Sequence, residues 1–513
     1  MTTDSSPGAA PSDALPRSAT VAVIGAGTMG AGIAQVAAQG GHAVLLYDNR
    51  PGAASDAWQA MHDQFDKRIA RGRVTAEQRD AVLARITACD DLNALADAQL
   101  VIEAIVEDLA IKQQVFRDLE ALCGAETLFA TNTSSLSVTA LAASLADPGR
   151  MAGMHFFNPA PVMKLCEIVA GRASRATTLA TLEATATAWG KVAVRVTSTP
   201  GFIVNRVARP YYTEAMKVLE EGGSDIATLD ALLKEAGGFP MGPFALTDLI
   251  GQDINYAVSH SVYAAYYQDQ RFEPSLIQQS LVEAGHLGRK SGRGFYDYSE
   301  GAIPPEPQTC TASGSPREIM LHGTPGPWGT LVERLAHAGI DVIRVASDDE
   351  ACLECEGLRL YLSDGRTATQ RAFESGHADT LVFDLAFDYA ATPRLGIAAA
   401  DQAEETALGK AAALFKQAGI TLSPLDDIAG LIVMRSVAML TNLAADAVHK
   451  GVCSAEDVDR AMRAGTNYPA GPLQWGREIG LAHVVATLTR LEGVYGDGRY
   501  RPSPWLVRRV LTS

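Results

Sequence analysis

Two sets of residues in this chain have types and spacing that could do chemistry. The first is Gly25-Ala26-Gly27-Thr28-Met29-Gly30, a Gly-x-Gly-x-x-Gly turn. The three glycines serve different purposes. Gly25 permits a tight turn, Gly27 lets backbone approach a pyrophosphate, and Gly30 lets helix and strand pack closely. The helix start beyond the turn would offer free N–H groups and a positive dipole end to that phosphate, with Thr28 and Met29 in the turn itself. Alone, such a string is a weak signal. Here it follows a β-branched run, Ser18 to Ile24, and opens a helix-like stretch, Gly30 to Gln39. A second run, Ala43 to Tyr47, then ends in Asp48. An acid in that place accepts hydrogen bonds from the adenine ribose hydroxyls and repels a 2′-phosphate, so the pattern predicts NAD rather than NADP. Arg50 lies close and could soften that preference. The bland alternative is a glycine-rich turn beside an exposed aspartate.

The second set runs from Asn132 to Glu167. Asn132-Thr133-Ser134-Ser135 follows the apolar run Leu128 to Ala130, and His155 ends another such run before Phe156-Phe157-Asn158-Pro159. Glu167 sits in a further strand-like run, Leu165 to Val169. Residues just beyond strand ends line the ligand crevice of open α/β sheets. A histidine and a glutamate on adjacent strands could pair. By residue type alone, His155 is more often a satisfied core histidine. Ser134 reads equally as a turn residue, and Glu167 as a surface strand residue.

The elements that must position these residues follow from the pattern. Strand, turn, helix and strand within about 30 residues form a βαβ unit. Further strands are expected at Leu100 to Ile105, Leu128 to Thr131 and Met151 to Phe156, with helices between, which implies a parallel sheet covered on both faces. From Thr199-Pro200-Gly201 to about Tyr267 the pattern turns helical, and a Gly/Arg/Lys-rich stretch, Gly288 to Tyr298, closes it. The second half repeats this order: Ile319 to Gly323, Trp328 to Ala338 and Ile340 to Val345 again read as strand, helix, strand. Gly201 and Gly430, Ile203 and Ile432, Arg206 and Arg435, Asp230 and Asp459, Pro240 and Pro469, Gly242 and Gly471, Pro243 and Pro472 all stand at one offset of 229. A fixed offset argues for duplication of a whole unit. The expected architecture is an α/β Rossmann-like domain (18–198) and an all-α domain (199–298), then a reduced Rossmann-like domain (318–412) and a second all-α domain (413–513). A disordered tail (1–17) and a linker rich in Pro, Ser and Thr (299–317) complete it.

Composition narrows the function classes. Apolar residues make up 47% of the 513, so a large core is available, and the net charge of −16 makes nucleic acid a poor default partner. The seven cysteines are scattered and odd in number, which fits a reducing, cytoplasmic setting. Cys352 and Cys355 form one CxxC without a second pair at zinc-ligand spacing, so no metal is expected. The N-terminus lacks the basic start and apolar run of a secretory signal, and no run approaches the ~18 apolar residues of a membrane span. Asn132-Thr133-Ser134 is a glycosylation sequon without consequence in the cytoplasm.

The stretches "GAGTMGAGIAQVAAQGGH", "EAIVEDLAIKQQVF", "ATNTSSLSVT", "HFFNPAPVMKLCEIV" and "TPGFIVNR" closely resemble the L-3-hydroxyacyl-CoA dehydrogenases, in order and spacing, from about residue 18 to 298. The duplicated layout resembles the longer bacterial members, including 3-hydroxybutyryl-CoA and phenylacetate-pathway 3-hydroxyadipyl-CoA dehydrogenases. The resemblance implies NAD-dependent oxidation of an (S)-3-hydroxyacyl-CoA to the 3-oxoacyl-CoA. It makes His155 the general base, Glu167 its orienting partner, and Ser134 and Asn205 the polar groups on the reacting oxygen and the substrate. Glu107, Lys112, Asn158 and Lys290 match positions that contact the cofactor in the family. On the excursion after the second strand, Gln64 and Arg71 are the nearest counterparts of the CoA-binding residues, with Lys67, Arg68 and Arg73 beside them. A basic run is also, more plainly, a solvated face.

The second half departs from this pattern. Its turn, Gly323-Thr324-Pro325-Gly326-Pro327-Trp328-Gly329, has altered glycine spacing and two prolines that remove amide donors, so no dinucleotide is expected there. Met434 stands where Asn205 stands and cannot donate an amide hydrogen bond. Counterparts of the His155 and Ser134 motifs are missing. The second half is therefore expected to be non-catalytic, and its helical copy to pack on the first as an internal pseudo-dimer, with a homo-oligomer left open. Two other readings share the glycine turn: a β-hydroxyacid dehydrogenase on a free acid, and a non-catalytic NAD-binding, crystallin-like protein. The first resembles a lysine-based mechanism rather than a His–Glu pair. The intact set of Ser134, His155, Glu167 and Asn205 counts against the second.

Overall fold

The structure is a computed structural model that describes residues 13–346 and 350–512. The chain divides into two compact units, one of residues 1–204 and 451–466, the other of residues 205–450 and 467–513.

The first unit is built on an eight-stranded sheet. Its strands are β1 (Thr20–Ile24), β2 (Ala43–Tyr47), β3 (Ile86–Cys89), β4 (Leu100–Glu103), β5 (Leu128–Thr131), β6 (Met151–Phe156), β7 (Leu165–Ala170) and β8 (Val192–Thr197), in spatial order β3-β2-β1-β4-β5-β6-β7-β8. The helices are α1 (Thr28–Gln39), α2 (Ala53–Ala70), α3 (Ala76–Leu83), α4 (Leu109–Leu122), α5 (Val138–Ala142) and α6 (Ala176–Ala188). Two apolar clusters lie in this unit, one gathering Ile33, Leu46, Met154 and Leu182, the other Ile24, Val101, Phe116 and Leu141. The expected all-parallel sheet needs one correction: β7 runs antiparallel to β6. Only residues 157–164 join them, and a parallel return needs a crossover of a dozen or more residues. Residues 1–12 of the expected tail lie outside the described residues. Residues 13–17 are tied down instead of free, because the Leu15 amide donates to Thr185 Oγ1 at 3.0 Å and Leu15 packs on the core.

The second unit begins with a helical set: α7 (Val204–Val207, its first residue in the first unit), α8 (Arg209–Glu220), α9 (Ile226–Glu235), α10 (Pro243–Ile250), α11 (Gln252–Ala265) and α12 (Leu276–Glu283). A seven-stranded mixed sheet follows, made of β9 (Glu318–His322), β10 (Asp341–Val345), β11 (Cys352–Cys355), β12 (Leu358–Leu362), β13 (Thr380–Phe383), β14 (Arg394–Ala399) and β15 (Thr421–Pro424), ordered β10-β9-β11-β12-β13-β14-β15. Helices α13 (Gly329–His337), α14 (Ala368–Ser375) and α15 (Ala407–Gln417) accompany it. The second helical set comprises α16 (Val433–His449), α17 (Ala455–Thr466, within the first unit), α18 (Pro472–Ile479), α19 (Leu481–Tyr495) and α20 (Pro504–Val510). The stretch expected as a linker is held along its length: the Gln308 carbonyl accepts from Ser423 Oγ, the Cys310 amide donates to Leu422 O, and that of Ser313 to Gly409 O.

The two helical sets pack on each other inside the second unit. Glu214 of α8 is fully buried and takes Arg435 Nε at 3.0 Å, Arg499 Nε at 2.9 Å and the Tyr500 hydroxyl at 2.9 Å. In the other direction Arg206 reaches Asp446 of α16 at 2.6 Å. Burial alone would raise the Glu214 carboxyl, but Arg499 and Arg435 outweigh it and hold it below its usual range. Arg206 and Arg435 are the offset-229 counterparts of each other, so each copy sends the same arginine to an acid on the other's long helix.

Candidate active site and cofactor cleft

The glycine turn has the geometry a dinucleotide needs. Gly25 adopts φ +99°, and a Cβ there would collide with Ala104 O. A Cβ on Gly30 would strike Gly25 O, whereas one on Gly27 would project into open space. That open space is a cradle at the start of α1, whose N-terminus has no side-chain cap, so its first amides are left for an anion. Asp48, at the end of β2, accepts from the Ala26 amide at 2.8 Å and the Arg50 amide at 3.0 Å. The Arg50 side chain also reaches it, at 3.0 Å through Nε, and with the two amides holds the Asp48 carboxyl down at about 2. Arg50 is largely exposed, so a ribose hydroxyl can displace it at small cost. These residues fit NAD.

A groove of about 620 Å³ continues from this turn. Gly27 and Thr28 line it, with Gln64, Arg68 and Arg73 from the α2–α3 excursion and Asn158 from the loop after β6. Arg71 caps the end of α2 and is not among the lining residues; its neighbours Arg68 and Arg73 are. The helical period puts Gln64 and Arg68 four apart on one face, a signal that favours Arg68 over Arg71.

The antiparallel turn of β7 sets His155 directly opposite Glu167. His155 Nδ1 and Glu167 Oε2 are 2.6 Å apart. A carboxylate accepts, so Nδ1 is the donor of this bond, and in the neutral ring that leaves Nε2 as the acceptor. Glu167 Oε1 accepts from the Ile203 amide at 2.9 Å and the Val204 amide at 3.1 Å. The carboxylate is wholly buried, and the imidazole is flanked by Phe157 and Phe202. Such a pair can hold one ring face and one tautomer, as a proton acceptor requires.

Ser134 is exposed on the loop after β5, and its amide donates to Glu107 Oε1 at 3.1 Å. The same oxygen accepts from Ser135 Oγ at 2.9 Å and from Thr133 Oγ1. Lys112 is buried beneath, with Nζ 2.5 Å from Glu103 and 3.1 Å from Glu107. Glu103 also accepts from Thr131 Oγ1 at 2.7 Å. Glu107 and Lys112 thus brace the Ser134 loop. Glu103 and Thr133 were not singled out from the sequence, although an acid closing the apolar run of β4 was a readable signal. Asn205 and Lys290 belong to the second unit. Asn205 is half-buried in α7, and the Lys290 ammonium lies on Asp253 at 2.6 Å.

The offset of 229 extends further than the sequence motifs: β7 and β14, and α10 and α18, start and end at matching positions. It carries His155 to Asp384 and Glu167 to Gly396. Asp384 is fully buried and accepts from the Ile432, Val433 and Met434 amides at 3.0, 2.7 and 2.9 Å. In the second-half turn with its two prolines, Trp328 is buried against Phe383. All seven cysteines are free thiols, and no cluster of metal-ligating side chains occurs among the described residues. No helix among them is long and apolar enough to cross a membrane.

Comparison with known proteins places the chain in a family. Residues 20–199 match the 3-hydroxyacyl-CoA dehydrogenase NAD-binding domain, and residues 201–298 and 430–513 its C-terminal domain. Residues 360–428 match the 3-hydroxybutyryl-CoA dehydrogenase reduced Rossmann-fold domain. The chain is 43% identical over 499 residues to the 3-hydroxyadipyl-CoA dehydrogenase of Escherichia coli, covering 96% of this chain and 97% of that one. It is 40% identical over 280 residues to a probable 3-hydroxybutyryl-CoA dehydrogenase of Bacillus subtilis, covering 55% of this chain and 97% of that one. A crystal structure of a 3-hydroxybutyryl-CoA dehydrogenase from Escherichia coli superimposes with a TM-score of 0.88 at 43% identity, covering 96% of this chain and 98% of that one. The chain belongs to the 3-hydroxyacyl-CoA dehydrogenase family and is an NAD-dependent oxidoreductase.

Proposed function

We propose that the protein oxidises (S)-3-hydroxyacyl-CoA thioesters of the 3-hydroxybutyryl or 3-hydroxyadipyl type to 3-oxoacyl-CoA, or runs the reverse. The observation that carries this reading is the closed His155–Glu167 pair beyond the glycine turn of the same sheet. NAD, when bound, supplies the hydride acceptor. His155 Nε2 takes the proton of the C3 hydroxyl as C3 gives up its hydrogen with the electron pair, leaving a C3 carbonyl. Glu167 fixes the ring and stabilises the imidazolium. The Ser134 hydroxyl and the Asn205 amide hydrogen-bond the reacting oxygen and the thioester. Gly25, Gly27, Thr28, Met29, Gly30 and Asp48 hold the dinucleotide, and Glu107, Lys112, Asn158 and Lys290 act at the same cofactor. Gln64, with Arg68 and Arg73 in place of Arg71, receives the CoA phosphates.

The second half serves architecture: its helical set completes an internal pseudo-dimer, and one NAD serves each chain. The scattered, odd-numbered cysteines support cytoplasmic residence, where thiols stay reduced. The test is NAD reduction, followed by absorbance, with (S)-3-hydroxybutyryl-CoA, 3-hydroxyhexanoyl-CoA and 3-hydroxyadipyl-CoA. Turnover of at least one is expected; activity on a free 3-hydroxy acid and none of the thioesters would overturn the reading.

A further inference from the structure

Arg209, the first residue of α8, is 4% exposed. Its Nη1 donates to Ser259 Oγ at 3.0 Å, and its guanidinium lies over the Tyr212 ring, 5.0 Å from the centroid. Its Nε has no hydrogen-bond partner. The ionisable groups that act on it are the phenols of Tyr212 and Tyr468, with no carboxylate among them. The other buried arginines of this unit differ. Arg206 has Asp446, Arg271 has Asp269 and Asp446, and Arg435 and Arg499 share Glu214. The Tyr468 hydroxyl is buried and also without a hydrogen-bond partner. A buried cation lacking a counter-charge is strongly unfavourable, so the pair of orphan donors calls for an anionic acceptor.

The repeat shows that the fold does not need these polar groups. At the offset of 229, Arg209 becomes Ala438, Ser259 becomes Leu488, and Tyr468 corresponds to Phe239. All three polar side chains therefore stand where the related position is apolar. Arg209 also follows Asn205 by four residues, and the backbone is helical from Val204 through Ala208 into α8. Four residues advance ~6 Å along one helix face. From C3 of a six-carbon acyl chain to its terminal carbon is a comparable roughly 4 Å, plus the reach of the carboxylate oxygens.

We propose that Arg209, together with the Tyr468 hydroxyl, receives the carboxylate at the far end of a dicarboxylic 3-hydroxyacyl-CoA. This rests on the reading that the chain oxidises 3-hydroxyacyl-CoA thioesters. A carboxylate supplies both missing features: a counter-charge for the guanidinium, and oxygens that accept from Nε and from the phenol. A chain ending in methyl leaves both donors unpaired.

The experiment compares kcat/KM on 3-hydroxyadipyl-CoA and 3-hydroxyhexanoyl-CoA, which share six acyl carbons and differ in the terminal carboxylate. The full-length protein is expected to prefer the adipyl substrate. Arg209→Met should lower the adipyl-to-hexanoyl ratio by about 10- to 100-fold, the value of a charge-assisted bond. Tyr468→Phe, which leaves the cation in place, should lower it by about 2- to 10-fold. Hexanoyl turnover with the same ratio in wild type and both variants would overturn the proposal, because a structural arginine affects both substrates in step. No turnover of either substrate by the wild type would overturn the reaction assigned above, and this proposal with it.

Discussion

The first sheet carries His155 and Glu167 on neighbouring strands, while the second, at the same offset, carries Asp384 and Gly396. Both sheets nevertheless hold the same turn of chain. Glu167 accepts the Ile203 and Val204 amides, and Asp384 accepts those of Ile432, Val433 and Met434. Phe202 and Leu431, one residue before each turn, share a positive φ of 47° and 51°. The comparison separates two duties that one carboxylate combines in the first sheet. Oε1 of Glu167 holds the helix start, a duty both copies keep. Oε2 holds an imidazole, a duty only the first copy keeps.

The largest effect expected from breaking this comparison is on stability. Asp384→Leu strands four buried amides, those of Leu385, Ile432, Val433 and Met434, each worth about 1–3 kcal/mol when unpaired, so it should cost about 4 kcal/mol or more. Urea denaturation of the purified protein measures it; a loss below ~1 kcal/mol would mean the turn does not depend on the acid. Next comes Glu167→Gln, which keeps an amide acceptor and removes the charge beside His155. It should lower kcat by about 100-fold or more while costing little stability. Equal losses of stability in the two variants would show that the duties are not separable.

A smaller effect is on pH dependence. Burial pushes the Asp384 carboxyl up from 3.8 to about 6. The folded chain then holds a proton that the unfolded chain has already released, so this group's stabilisation is full below pH ~4 and is lost as pH rises through about 6. The wild type's stability relative to Asp384→Asn should therefore fall between about pH 4 and pH 7; a difference that stays flat or rises contradicts the assignment. The smallest effect is at the groove. Arg68→Ala or Arg73→Ala should raise KM for CoA thioesters a few-fold, more at low salt than at high, and Arg71→Ala by less.

Much of this was legible in the sequence. The run from β1 through Asp48 is local, and so its turn, helix start and acid follow from nearest-neighbour chemistry. The strands β2, β5 and β6 also fall where the apolar runs place them. The direction of β7 was not legible from periodicity, which does not distinguish parallel from antiparallel strands. The eight-residue connection between Phe156 and Leu165 was the signal that did. Glu103 closes a short apolar run as a surface acid would, and its burial between Lys112 of α4 and Thr131 of β5 shows only once the strands are paired. Asp384 escaped notice because its role depends on backbone amides far along the chain, which leave no trace in residue type. Arg209 looks like an ordinary helix-start residue until its lack of an acid partner is seen.

The central claim is that a single proton acceptor, His155, serves the chain. Its most direct test is the turnover of His155→Gln with (S)-3-hydroxybutyryl-CoA, beside NAD affinity measured by calorimetry. The account predicts kcat reduced by about 1,000-fold with NAD affinity unchanged. A variant that keeps more than roughly a tenth of wild-type turnover would place the proton acceptor elsewhere and contradict it.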